Sequence, residues 1–183
     1  MSHNKQSLYF LAISILTLLV SSCVTVTKPV EESYLSVHYI EAPIDWQPNK
    51  HNPTVQLNLK VDGKSNTVIF PLSYTIKCKP IRKECKHAII KTKVTLEASS
   101  KTQNEIKVTG MLHAQMGRSL EIQGDALHPS HTKLTVPPSV PVIGEKNFDL
   151  PINATLTTNE QATINSLGGS KIILTYKNAT NSK

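Results

Sequence analysis

The chain is poor in aromatic residues, with three Phe, five Tyr and one Trp in 183 positions. Its core must therefore be aliphatic, and ligands held by ring stacking are poorly served. No aromatic interleaves the basic residues, so a surface that stacks nucleic-acid bases is not expected. Helical periodicity is equally scarce. No heptads appear, and the crossover helices that a parallel α/β fold requires are missing. There is no low-complexity tract and no internal repeat. G-x-S-x-G, a Walker loop and H-E-x-x-H are all absent, so no catalytic motif, resident metal or cofactor is implied.

What the chain does have begins at its N-terminus. Lys5 precedes an apolar run over residues 8–20, "LYFLAISILTLLV". That is signal-peptide length, short of the roughly 20 apolar residues of a membrane span. "VSSC", residues 20–23, follows at once. Small side chains before a cysteine let a membrane-embedded peptidase reach the bond. The motif resembles the lipobox of bacterial lipoproteins. The resemblance covers the first 23 residues and implies cleavage before Cys23 with acylation of its thiol and new amino group. Acyl chains hold a protein on a bilayer at about 0.8 kcal/mol per buried CH₂. Val24 stands where Asp would resemble an inner-membrane retention signal, so the expected place is the outer membrane, facing the periplasm. Residues 1–22 then read as signal peptide, 23–33 as a lipidated tether and 34–183 as a single β domain.

Charge is concentrated. The chain holds 20 Lys and Arg against 13 Asp and Glu; losing Lys5 leaves 19 against 13, an excess of six. Residues 77–93, "KCKPIRKECKHAIIKTK", contain Lys77, Lys79, Arg82, Lys83, Lys86, Lys91 and Lys93 against Glu84 alone, again an excess of six. The rest is balanced. The basic character is one local feature on a near-neutral body, which points to an acidic partner.

Period two dominates the folded part. "VQLNLKV" puts Val55, Leu57, Leu59 and Val61 on one face, and "DGKSN" turns the chain. "TVIFPLSYTI" carries Pro71, which marks an edge or a bulge. "AIIKTKVTL" points Ala88, Ile90, Val94 and Leu96 inward. "EIKVTGML" and "SLEIQG" flank a turn placed at Gly117, and "TKLTV" and "KIILTYK" complete the strands. "NEQATINSL", with Asn159 as cap and Gly168 and Gly169 as stop, is the one helix candidate. The expected fold is an antiparallel β-sandwich or partly open barrel, mostly hairpin-connected, with at most one short helix.

Cys78 and Cys85 remain after lipidation. An even pair in an exported chain reads as a disulfide. A zinc site using His87 as well is the alternative, but the cysteine spacing is wider than the usual pair and the neighbouring cations oppose a dication. A flush Cys78–Cys85 ladder would set Phe70 opposite Lys93, against the apolar pattern. A bulge near Pro71 or a loop crossing is therefore expected.

The remaining signals are weak. His113, His128 and His131 are candidates for a metal or a hydrolytic site. Ser130 and Lys133 form S-x-x-K without its companion motifs. Trp46, in a Pro-bounded loop, is a candidate partner anchor. The leading expectation is a non-catalytic envelope lipoprotein that docks an acidic protein or polymer through a disulfide-closed basic hairpin. A small periplasmic hydrolase built on the histidines and a surface protein with no specific partner stand beside it.

Overall fold

The alternation of apolar and polar residues becomes two facing sheets. The computed structural model describes residues 33–44, 54–79, 84–124 and 130–178. Residues 1–32, which include the expected signal segment, Cys23 and the expected tether, lie outside the described residues, as do Trp46, Arg82, Lys83 and His128. The strands are β1 (Tyr34–Ile40), β2 (Thr54–Lys60), β3 (Ser65–Ile69), β4 (Ser73–Cys78), β5 (Cys85–Thr102) and β6 (Glu105–Gly117). They continue with β7 (Ser119–Ile122), β8 (Thr132–Thr135), β9 (Lys146–Thr157), β10 (Gln161–Asn165) and β11 (Lys171–Lys177). One sheet runs β10-β11-β1-β2; the other runs β3-β5-β6-β9, with β4 also paired to β5. β7 and β8 form a separate hairpin. Among the described residues every ladder is antiparallel and no sheet closes into a barrel, so the fold is an all-β sandwich.

The larger of two core clusters is drawn from both sheets, and a smaller one gathers Ala42, Ala88, Ile90 and Met116. Leu35, Val37 and Tyr39 of β1 and Ile172, Leu174 and Tyr176 of β11 join Val94, Leu96, Ile106, Val108, Leu112 and Leu156 of the second sheet. These are alternate residues along each strand, as a half-buried sheet requires. Val55, Leu57, Leu59 and Val61 pack against the cluster from the side.

The conflict between the cysteines and Phe70 is resolved by a bulge. β4 pairs β5 from Ser73↔Ile90 to Cys78↔Cys85. β3 pairs the same strand from Ser65↔Glu97 to Ile69↔Lys93. Three residues, Phe70, Pro71 and Leu72, thus oppose two, Lys91 and Thr92. The extra residue shifts the register by one, and Phe70 N donates to Thr92 O at 2.9 Å. Phe70 enters the core, where its ring stacks on Tyr39 with centroids 4.4 Å apart. The Tyr39 hydroxyl lies 3.4 Å from Ser73 Oγ and 3.3 Å from Thr92 Oγ1. All three are buried, and together they satisfy polar atoms that would otherwise be costly beside the bulge.

One end of the core is closed by a 3₁₀ turn, Leu167–Gly169. Gly168 has φ +67 there, and a Cβ would sit 2.4 Å from Ile90 Cδ1. The left-handed φ is what calls for glycine there, and a side chain would in addition have to displace the tip of Ile90.

Two expectations are corrected. The helix candidate at residues 159–167 is mostly strand: β10 alternates exposed and half-buried residues, with Ala162 and Ile164 packed on the core. Two apolar positions two apart fit a strand better than a helical turn. Asn159 does not cap a helix. It adopts φ 66 in the turn from β9 to β10, a conformation Asn tolerates. Gly117 does not make the hairpin turn either, because β6 extends through "HAQMG" to reach it.

Candidate functional site

The hairpin of β4 and β5 carries its ladder one pair beyond the cysteines, since Lys79 N donates to Glu84 O at 2.9 Å. Cys78 and Cys85 therefore oppose each other at a non-hydrogen-bonded pair, where side chains approach most closely. They are joined by a disulfide, with Cα atoms 4.0 Å apart. Both sulfurs are bonded, so the thiolate zinc alternative is overturned. His87 is occupied as well. Its Nδ1 pairs with the Tyr74 hydroxyl, its N–H donates to Pro141 O and its carbonyl accepts from Ile143 N. The segment at Val142 bridges it in parallel. Arg118 fixes that segment, donating from Nη1 to Pro137 O at 2.7 Å.

Strand alternation sorts the cations. Lys77 and Lys86 are exposed and directly opposite each other. They continue the face that Thr75 and Ala88 bury further back. Lys79 shares that face and lies 3.7 Å from Glu84 Oε2. Both groups are well exposed, so this pair contributes little. Lys91 and Lys93 occupy odd positions on β5 and project from the opposite face, away from the core. The seven cations of residues 77–93 thus do not share one surface. Lys77, Lys79 and Lys86 belong to the hairpin tip; Lys91 and Lys93 belong to the outer face of the sheet.

That outer face is ordered in rows across three strands. Lys93 pairs with His113, and His113 with Asp149. One row along, Lys91 pairs with Gln115, and Gln115 with Asn147. These six side chains line a depression of about 430 Å³. His113 Nδ1 and Asp149 Oδ1 are 2.6 Å apart. A carboxylate only accepts, so Nδ1 carries the proton and Nε2 is left outward. Lys91 Nζ donates to Glu121 O at 2.8 Å, tying β7 to the rim.

His113 and His131 take different acidic partners, and His128 lies outside the described residues. His113 takes Asp149, whereas His131 Nε2 lies 3.3 Å from Glu121 Oε2. Among the described residues no group of three or more His, Cys, Asp or Glu is placed to hold a metal. Lys133 lies on β8, a strand, where the serine-enzyme motif needs a helix. Asp149, Gln115 and Asn147 escape sequence reasoning because their adjacency depends on the β6–β9 register.

These features define a class of architecture: an antiparallel sandwich with a disulfide-stapled cationic hairpin and a separate polar depression on one outer face. No protein-family model matches the chain, and neither a curated protein nor a solved structure matches it.

Proposed function

We propose that the protein is a non-catalytic cell-envelope lipoprotein, anchored through Cys23, whose hairpin tip docks an acidic partner. The lipobox-like "VSSC" supports the anchor and the compartment, and the disulfide is at home in that oxidising setting. The observation that carries the docking reading is the directly opposed pair Lys77 and Lys86 beside the disulfide. Like charges facing across a ladder are destabilising. An anionic group seated between them relieves the repulsion, and the staple limits the entropy lost on binding. Arg82 and Lys83, within the same loop in sequence, add to the positive charge. The partner is an acidic envelope protein or an anionic envelope polymer.

Chemical crosslinking in whole envelopes tests it. The native chain is compared with a variant carrying Lys77→Glu, Lys79→Glu and Lys86→Glu, its disulfide and fold verified. Loss of the crosslinked partner from the variant alone is the expected result. Recovery of the same partner from both removes the hairpin from the interface. Incorporation of labelled fatty acid that disappears in Cys23→Ala is expected for the anchor.

A further inference from the structure

The depression on the outer face lies on the side of β5 opposite the hairpin cations, and its chemistry is different. Lys93 is half-buried and makes no hydrogen bond or ion pair among the described residues. The amides of Gln115 and Asn147 are likewise unpaired there, side by side across β6 and β9. His113 is held through Nδ1 by Asp149, which fixes its ring; in the neutral imidazole Nε2 is then the acceptor. A free ammonium, two amides that donate and accept, and one imidazole acceptor therefore converge on one concavity. Neighbouring strands set these groups at intervals of about 4.8 Å.

Each alternative ligand class fails on a particular feature. A metal finds one imidazole nitrogen and no supporting cluster. A ring-stacking or apolar ligand finds no aromatic side chain among the lining residues. An isolated oxyanion would use Lys93 and leave the amides and Nε2 idle. The set fits a ligand with an oxyanion and adjacent hydroxyls: the oxyanion on Lys93, hydroxyls accepting from the amides, and one hydroxyl donating to His113 Nε2.

We infer that this face is a second, independent binding site, built for an anionic polyol such as a uronate or a sugar phosphate. Lys93 is its anion anchor, His113 and the amides of Gln115 and Asn147 read the hydroxyls, and Asp149 positions His113. Carboxylate and phosphate ligands share this chemistry.

The full chain, ¹⁵N-labelled and purified in detergent, is titrated with glucuronate, glucose 6-phosphate, neutral glucose and inorganic phosphate. The readout is the side-chain amide signals of Gln115 and Asn147. Saturable shifts with either acid ligand, at least tenfold weaker with glucose and with phosphate, are expected. The stronger acid ligand identifies the source of the oxyanion. Lys93→Met should weaken binding at least tenfold, with the remaining signals unmoved to report an intact fold. The Lys77→Glu, Lys79→Glu, Lys86→Glu variant should bind normally, which separates this site from the hairpin. Glucose binding as well as the acids would overturn the role of Lys93. Phosphate binding as well as the sugars would overturn the polyol assignment, and no shift with any ligand would overturn the site.

Discussion

Gly110 shows how a single missing side chain sets a sheet's geometry. It lies mid-strand in β6, where a Cβ would meet Thr95 O at 2.0 Å. The obstacle is backbone, so it cannot swing away. Gly110→Ala should lose about 3 kcal/mol in urea unfolding, with strand separation rather than side-chain adjustment as the cause. Glu160 is a second local case. Its carboxyl is held below the ordinary range, first by the Thr157 backbone N–H and then by the Thr157 hydroxyl. A depressed acid contributes stability above its ordinary value, and that contribution is lost as pH falls through the folded-state value. An NMR titration should place Glu160 below a typical glutamate. Thr157→Val should raise it only part of the way, because the backbone donor remains. Glu41 goes the other way, since burial pushes its carboxyl up. Neither shift is visible in sequence, because one depends on a backbone donor and a hydroxyl aimed at the carboxylate and the other on burial, and folding sets both.

At the scale of elements, the β4–β5 hairpin and its bulge were the most legible parts of the chain. Cysteine spacing and the apolar pattern around Phe70 together called for a bulge near Pro71 or a loop crossing, and the structure shows the bulge, at residues 70–72. Strands β1 and β9 escaped. In β9 the alternation Phe148, Leu150, Ile152, Ala154, Leu156 is regular, but Pro151 interrupts it. An edge strand tolerates that proline, because one side of its backbone has no partner, and β9 is the edge of its sheet. Missing β9 concealed Asp149 and Asn147, and with them the outer-face depression. Two outcomes are expected here. Replacing Cys78 and Cys85 by Ser should cost about 2.5 kcal/mol, since the closed loop is short; calorimetry measures it. Deleting Pro71 forces the two halves of the β5 ladder into registers that cannot both persist. Thiol titration should then find free cysteines, or the protein should fail to fold.

Across the whole molecule, the described surface is polar. Leu134, 36% exposed, is its one exposed large hydrophobic residue. Association through the hairpin should therefore be electrostatic, and partner recovery should fall as salt rises from about 0.05 to 0.5 M, where the screening length shrinks below the span of the tip. A crosslinking yield that is flat across that range would contradict such an interface. The sandwich itself followed from period two. The division of residues 77–93 between two faces did not, because a linear count of charge ignores the direction in which each side chain leaves the strand.

The position of β1 has a mechanical consequence. It runs in the interior of its sheet, matched residue for residue with β11 on one side and β2 on the other, from Tyr34 to Ile40. A load applied ahead of Tyr34 along the strand axis meets both ladders in shear, and all their hydrogen bonds must give together. Traction on the N-terminal segment would therefore be resisted by the strongest arrangement a sheet offers, with no single edge bond from which peeling can start.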